Sequence, residues 1–270
     1  YGSDNPPLTV SYDGLRASES ASVINTAPSI STAAITSSNA GTYDITASGA
    51  SDDHYNFTYV TGTLTINKAT LTATADNKMR VYGNLAPVFT IKYSGFKLAD
   101  TPSVIDVAPT GSTTAVLSSD VDYYPITLSG GSDNNYSFNY VSGILNVLPA
   151  NLTVTANSFN RYYGDPNPTL TLRYSGFRNG DNVALVDLEP SVSTTANIFS
   201  DAGTYPIVVD GGSDNNYNLI YVDGTLTVDK AVLTVTANDD SRLYGDANPA
   251  FTVGYTGFKN SETLSVIDTQ

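Results

Sequence analysis

Short stretches of alternating apolar and polar residues recur along the chain. In residues 152–156, Leu, Val and Ala alternate with two Thr residues, and residues 225–228 show the same period of two. This period is that of a strand with one buried face, so the pattern predicts half-buried β-strands. Further strands are predicted over 169–174, 205–209 and 217–222, with turns at 211–216 and 223–224.

The whole pattern repeats every 81 residues. A Tyr-Gly pair recurs at this interval without insertion, and the residues around it keep the same register. The four pairs are Tyr1-Gly2, Tyr82-Gly83, Tyr163-Gly164 and Tyr244-Gly245. A fixed period of this kind indicates a tandem array of equivalent structural units.

Two repeats are predicted to be complete, at 70–150 and 151–231. We expect residues 1–69 to form a repeat that lacks its first strand, and residues 232–270 to form the N-terminal half of a further repeat. Each repeat has room for one short helix. In the third repeat, Asn179-Gly180-Asp181 is expected to cap a turn or two over 182–186, which Pro190 would end.

The junctions between repeats contain no linker rich in Gly, Ser or Pro. Around the second junction, the positions predicted to be buried are Leu145 and Val147, which are odd-numbered, and then Ala150, Leu152 and Val154, which are even-numbered. A shift of one residue turns a strand's side chains to the opposite face. The chain is therefore predicted to pass directly from one core to the next, in a semi-rigid rod rather than a flexible string.

The composition excludes several classes of protein. The 270 residues include no Cys, which excludes disulfides, cysteine-ligated zinc and cysteine nucleophiles. The formal charge of −14 is unfavourable for binding to nucleic acid, whose phosphates attract Lys and Arg. No apolar run approaches the ~20 residues that a membrane-spanning helix needs, so we expect no membrane span in this segment.

Catalysis has little support in the sequence. His54 is the only histidine, and Asn135 and Asn216 occupy the equivalent positions in the next two repeats. A general base also needs partner groups, and paired carboxylates for glycoside hydrolysis need an enclosed site that a small repeat offers poorly. We therefore predict no catalytic residue, no cofactor-binding residue and no enzyme activity.

The acidic turns carry the only candidate metal ligands. Asp52, Asp53, Asp133 and Asp214 lie in turns rich in Asp and Asn, whose oxygens suit Ca²⁺. Their spacing is not that of an EF-hand. The alternative is a hairpin turn in which Asp and Asn bond their own backbone, and this alternative is favoured. No cofactor is predicted apart from this candidate Ca²⁺.

Two further residue types recur in register. Tyr43, Tyr124 and Tyr205 are expected to pack against the core of each repeat. Arg80, Arg161 and Arg242 stand two residues before each Tyr-Gly pair, where an ion pair with a neighbouring Asp or a ligand contact are the alternatives.

The Tyr-Gly pair belongs to a longer recurring motif. A proline follows it at Pro87, Pro168 and Pro249, and segments such as 212–217 and 221–228 close each repeat with a hairpin. In these residues the chain resembles the Y-G-x type of MBG repeat domains over its whole length. Ser11-Tyr12-Asp13-Gly14 is similar to the related Y-D-G repeats.

The resemblance implies an extracellular protein of the bacterial cell surface. Such arrays are typical of giant repetitive adhesins, including gliding-type adhesins exported by type IX secretion, so the secretion machinery is an expected partner beside the neighbouring repeats. On fold, the resemblance and the pattern together suggest a mostly β, β-grasp-like unit with one short helix. An immunoglobulin-like sandwich is the alternative, because Asp201, Gly203 and Tyr205 have the spacing of a tyrosine corner.

Three functions fit these observations. The first is a non-catalytic stalk that projects a distal binding region of a large adhesin. The second is a multivalent array in which each repeat binds a surface glycan or protein weakly. The third is a set of spacer modules in an extracellular enzyme.

Overall fold

Alternating Thr and aliphatic residues form β-strands throughout the computed structural model, which describes residues 1–16 and 18–267. Contacts divide the chain into two units. The first contains Tyr1–Arg80, Leu85–Val116 and Asp122–Asn146, and the second contains Val81–Asn84, Leu117–Val121 and Val147–Gln270. The predicted mostly β class is confirmed.

The first unit holds the first repeat and most of the second. The strands of the first repeat are β1 (Ser29–Thr32), β2 (Gly41–Ser48) and β3 (Gly62–Ile66), which form one sheet in this order. The strands of the second repeat are β4 (Ala69–Ala75), β5 (Lys78–Val81), β6 (Ile91–Ser94), β7 (Thr110–Thr113), β8 (Tyr123–Ser129), β9 (Tyr136–Val141) and β10 (Gly143–Leu148). They form two sheets, β6-β4-β9 and β5-β10-β8-β7.

The third repeat, in the second unit, has the same arrangement. Its strands are β11 (Ala150–Ala156), β12 (Phe159–Tyr162), β13 (Leu172–Ser175), β14 (Ser191–Thr194), β15 (Gly203–Asp210), β16 (Tyr217–Val222) and β17 (Gly224–Asp229). They form the sheets β13-β11-β16 and β12-β17-β15-β14. The pairs β11–β16 and β12–β17 are parallel, and the other pairs are antiparallel.

The core of this repeat lies between its two sheets. Val154 and Ala156 of β11 contact Ile207 and Val209 of β15 and Leu226 of β17, and all five side chains are buried. The first strands of the two complete repeats, β4 and β11, begin one residue before the expected boundaries. The fourth repeat contributes β18 (Thr234–Ala237) and β19 (Val253–Thr256).

The strands confirm the predicted change of buried parity at the second junction. Strand β10 ends at Leu148 and β11 begins at Ala150, so a single residue separates them. Leu145 and Val147 are fully buried before the break, and Ala150, Leu152 and Val154 are fully buried after it. The one-residue shift lets one continuous backbone supply inward side chains to two successive cores.

The helical prediction is confirmed only as a short turn. Four 3-10 helices of three residues each occur in the described chain, at Ala21–Val23, Pro102–Val104, Val183–Leu185 and Leu264–Val266. In the third repeat the cap is Asn182 rather than residues 179–181, since its side chain accepts a hydrogen bond from the Ala184 N–H at 3.0 Å. None of these helices has a buried residue.

The β-grasp expectation therefore needs correction. A β-grasp core forms between one sheet and a helix, whereas here two sheets enclose the core and the helix contributes nothing to it. The sandwich alternative describes this layering, and its tyrosine corner is present, because the Tyr205 hydroxyl donates to the Asp201 carbonyl at 3.0 Å. The parallel strand pairs distinguish the repeat from an immunoglobulin domain, whose sheets are antiparallel.

No helix in residues 1–16 and 18–267 is long and apolar enough to cross a membrane.

Candidate functional site at the junction between repeats

The tyrosines of the first three Tyr-Gly pairs pack against the following repeat. In the second unit, residues 81–84 form a tight turn closed by a hydrogen bond from the Asn84 N–H to the Val81 carbonyl at 3.0 Å. Tyr82 is buried, and its ring meets the ring of Tyr217 edge to face at 5.5 Å. Because Tyr217 belongs to the third repeat, the pair joins neighbouring repeats through an aromatic contact.

A shared carboxylate completes this contact. Asp181 Oδ2 accepts hydrogen bonds from the hydroxyls of Tyr82 at 3.0 Å and Tyr217 at 2.7 Å. The Tyr217 hydroxyl in turn accepts one from the Arg178 N–H at 2.7 Å. We call Arg178, Asp181 and Tyr217 the acceptor group of the third repeat. It gives the incoming tyrosine a charged hydrogen-bond partner and an aromatic wall.

The glycine of the pair is required by the same contact. A Cβ atom added to Gly83 would lie 2.5 Å from Arg178 Cβ, so the aliphatic part of the arginine occupies the space that a side chain would need. Gly83 also has φ +76, a conformation that other residues adopt only with strain.

The same arrangement recurs at the other junctions. In the first unit, the hydroxyls of Tyr1 and Tyr136 donate to Asp100 Oδ2 at 3.0 and 2.7 Å, and their rings meet edge to face at 5.5 Å. A Cβ on Gly2 would lie 2.4 Å from Lys97 Cβ. In the second unit, Tyr163 donates to Glu262, and a Cβ on Gly164 would lie 2.4 Å from Lys259 Cβ. The acceptor groups therefore share a basic residue, an acidic residue three positions later and, in the complete repeats, a tyrosine.

A second contact joins the repeats through an asparagine side chain. Asn216 Oδ1 accepts the Val121 N–H at 2.8 Å, and Asn216 Nδ2 donates to Asp120 Oδ1 at 2.8 Å. In the first unit, Asn135 binds Ala40 and Asn39 in the same way, at 2.9 and 3.0 Å. The amide thus binds a loop of the preceding repeat with both of its polar atoms.

The candidate calcium ligands Asp133 and Asp214 hold this asparagine in place. Asp214 Oδ1 accepts the N–H groups of Asn216 at 2.7 Å and Tyr217 at 2.9 Å, and its Oδ2 accepts the Asp187 N–H at 3.3 Å. Asp133 makes the equivalent bonds to residues 135, 136 and 106. Both carboxylates are therefore used as turn caps, which is the geometry of the hairpin-turn alternative.

The candidate ligands of the first repeat show the same use. Asp52 accepts the N–H groups of His54 at 2.8 Å and Asn25 at 3.2 Å. These backbone donors, the one from His54 foremost, hold the pKa of Asp52 below its ordinary value. Asp53 is exposed. Within the described residues, 1–16 and 18–267, no three Asp, Glu or His side chains form a group that could hold a metal ion.

The single histidine lies on the surface. His54 Nδ1 is 3.8 Å from Asp52 Oδ1, and its side chain is 87% exposed. In the second and third repeats the equivalent residues are Asn135 and Asn216, which bind the preceding repeat.

Burial changes the acidity of the junction tyrosines. It raises the pKa of Tyr136 from 10.0 to about 12, with the neighbouring Asp100 adding to the effect. Burial raises the pKa of Tyr217 in the same way, and Asp181 again contributes. A phenolate beside a carboxylate in a buried site is unfavourable, so both hydroxyls stay protonated and remain donors at neutral pH.

The recurring arginine supports the turn. Arg161 is buried and donates to the Asn167 side chain at 2.8 Å and to the carbonyls of Tyr162 at 3.1 Å and Asn197 at 2.5 Å. These partners are neutral oxygens, in place of the expected Asp. Arg80 is also buried and donates to the Val116 carbonyl at 2.5 Å.

The predicted core tyrosines lie at the edge of each core. Tyr124 and Tyr205 are half-buried and pack against the clusters of the second and third repeats. The Tyr43 hydroxyl donates to the Asn39 carbonyl at 2.9 Å.

Sequence reasoning found the Tyr-Gly pairs but missed what they bind. The available signal was a basic residue followed three positions later by an acidic one, after the phenylalanines Phe96, Phe177 and Phe258. Comparison with known families matches the model described as "MBG domain (YGX type)" to residues 1–65, 71–146, 152–227 and 233–270. Comparison with curated proteins found no similar protein.

Proposed function

Because the chain belongs to the MBG domain (YGX type) family, whose repeats are typical of surface and extracellular proteins, we propose that it is a stalk segment of a bacterial adhesin. In this role the segment projects a distal binding region from the cell surface and performs no catalysis. We further propose that its repeats span 70–150 and 151–231, with partial repeats on either side.

The observation that carries the proposal is the double contact at the first two junctions. One contact runs from Tyr82 to Asp181 and Tyr217, and the other from Asn216 to Asp120 and Val121. Together with the one-residue connection between β10 and β11, they restrain rotation between neighbouring repeats. A segment whose task is reach needs this restraint, because a freely jointed chain extends only with the square root of its length.

The side-chain chemistry supports a structural role. The polar groups that recur in register bind one another: Tyr82 and Tyr136 bind carboxylates, and Asp214 binds backbone N–H groups. The family is not typically catalytic. The net charge of −14 favours solubility in a long extracellular array.

The restraint is tested by measuring a distance between two repeats. The chain has no Cys, so Thr114→Cys and Thr195→Cys create the only thiols, at exposed equivalent positions in the second and third repeats. Spin labels on both thiols should give one narrow distance distribution by pulsed electron resonance. A broad distribution in the parent chain would falsify the stalk proposal.

A matched variant connects the restraint to the junction. Adding Gly83→Val, which places a side chain where Arg178 lies, should broaden the distribution. Gly245→Val, at a glycine where an added Cβ would meet no atom within 4 Å, should leave the distribution unchanged. Reproducible binding of the parent chain to a glycan array would instead favour the multivalent alternative.

A further inference from the structure

The chain's only Asn-Gly sequence lies inside the acceptor group of the third repeat. Asn179 and Gly180 are exposed, with φ +54 and +81. The turn that they form is closed by a hydrogen bond from the Asp181 N–H to the Arg178 carbonyl at 2.7 Å. Since Asp181 also accepts the Tyr82 hydroxyl, a chemical change in this turn acts directly on the junction.

An Asn-Gly sequence reacts with water without an enzyme. The backbone nitrogen of the glycine attacks Cγ of the asparagine and loses its proton, the bond from Cγ to the amide nitrogen breaks, and ammonia leaves. Water then opens the resulting cyclic imide at either carbonyl, which gives aspartate or isoaspartate. Glycine favours the attack because it has no Cβ to hinder the approach of its nitrogen.

The structure leaves the reacting atoms of this turn unobstructed. Among residues 1–16 and 18–267, the Gly180 N–H has no hydrogen-bond acceptor, so the attacking nitrogen is not held elsewhere. A Cβ built on Gly180 would meet no atom within 4 Å. The equivalent turns have the same backbone conformation but carry Leu98-Ala99 and Asn260-Ser261, which lack the amide or the glycine.

Asn179 and Asp181 act on the same hydroxyl. Burial raises the pKa of Tyr82, the Asn179 side chain opposes this rise as a hydrogen-bond donor, and the Asp181 carboxylate adds to it as an acceptor. A carboxylate only accepts hydrogen bonds, so an aspartate at position 179 would not donate to the hydroxyl. Tyr82 would then offer one proton to two negative groups, which repel each other at short range.

We propose that Asn179 is a site of spontaneous deamidation and that the reaction loosens the junction between the second and third repeats. The aspartate product places a second negative charge beside Asp181. The isoaspartate product in addition lengthens the backbone of the turn by one atom, which moves Asp181 away from Tyr82. The chemical step does not depend on the stalk proposal, because it needs only the turn and water.

Peptide mass spectrometry on the full chain, stored at mildly alkaline pH, tests the chemical step. Asn179 should acquire the mass of aspartate faster than the other asparagines, in two products that separate as aspartate and isoaspartate. Asn260 is the matched control within the same chain, because its turn has the same conformation. Gly180→Ala should slow the change, and Ala99 shows that alanine fits this position. Equal rates at Asn179 and Asn260 overturn the proposal.

The spin labels at positions 114 and 195 test the effect on the junction. Asn179→Asp should broaden the distance distribution, and storage should broaden that of the parent chain more than that of Gly180→Ala. The control is Asn160→Asp, which makes the same chemical change at an exposed position in β12 of the same repeat and should keep the distribution narrow. A distribution that Asn179→Asp leaves unchanged, or that Asn160→Asp broadens equally, overturns the proposal.

Failure of the stalk proposal would give a different result, namely a broad distribution in the parent chain before storage. Urea unfolding then takes the place of the spin labels, because Asp181 also accepts a hydrogen bond from Tyr217 within the third repeat. Asn179→Asp should unfold at a lower urea concentration than Asn160→Asp. Equal midpoints in these two variants would overturn the loosening of the junction.

Discussion

Individual residues at the junction are explained by their neighbours in the next repeat. Gly83 is a glycine because Arg178 lies against it, and Tyr82 keeps its hydroxyl because Asp181 accepts from it. Neither requirement comes from the repeat to which the Tyr-Gly pair belongs. The motif that marks each copy in the sequence is therefore a contact between copies.

Removing the hydroxyl of Tyr217 should destabilise the third repeat. Tyr217→Phe leaves the Arg178 N–H without its acceptor and Asp181 without its closer donor, and a lost bond of this kind costs about 1–3 kcal/mol. Urea unfolding of the parent chain and the variant measures the difference.

Tyr174→Phe is the matched control. In the described chain the Tyr174 hydroxyl is buried without a hydrogen-bond partner, so its removal should leave the stability unchanged or raise it slightly. An equal loss of unfolding free energy in both variants would show that the hydrogen bonds of Tyr217 do not stabilise the repeat.

High pH should weaken the first junction. The pKa of Tyr136 is raised from 10.0 to about 12, so the folded chain holds a proton that the unfolded chain has already lost. The stabilisation is complete below pH 10 and disappears as the pH rises through about 12. Thermal melts across this range should show a falling melting temperature, with a shallower fall in Tyr136→Phe. If the melting temperature fell equally steeply with pH in the parent chain and in Tyr136→Phe, Tyr136 would not be the group responsible.

The elements divide into those that the sequence specifies locally and those that depend on distant partners. Strands β11 and β17 follow a clear alternation, and the change of parity at the second junction was readable from Leu145 to Val154. The pairing of the strands could not be predicted, because no local pattern indicates that β11 lies parallel to β16. The same holds for the candidate site: Asp214 was recognisable as a turn residue, but its support of Asn216 requires the preceding repeat.

Replacing Asp214 should disrupt its turn. Asp214→Ala removes the acceptor for the N–H groups of Asn216 and Tyr217, at a cost of about 1–3 kcal/mol. Asp53→Ala, at an exposed position in the equivalent turn of the first repeat, should change the stability by less than about 0.5 kcal/mol. Chemical denaturation of both variants makes the comparison.

Calcium should not stabilise these turns. Asp133 and Asp214 already accept backbone hydrogen bonds with both carboxylate oxygens, so an ion would have to displace them. We expect equal melting temperatures in Ca²⁺ and in chelator. A higher melting temperature in Ca²⁺ that Asp133→Asn removes would restore the metal interpretation.

In the whole molecule, stability should depend on contacts between neighbours. Arrays of this kind are stabilised partly by nearest-neighbour interfaces, so a junction variant lowers the stability of the repeats that it joins. Gly83→Ala introduces both backbone strain and a Cβ 2.5 Å from Arg178, whereas Gly245→Ala introduces strain alone. Gly83→Ala should lower the free energy of unfolding, measured with denaturant, by about 1–2 kcal/mol more than Gly245→Ala does. Equal losses in the two variants would contradict coupling through the junction.

The one-residue break between β10 and β11 limits how such a gene can change in length. Adding or deleting a single codon there would turn one strand's inward residues outward. Exchange of a whole 81-residue copy has no such effect, because Tyr1, Tyr82 and Tyr163 each meet an acceptor of the same chemistry. Unequal recombination can therefore lengthen or shorten the protein in whole steps while each new boundary stays intact.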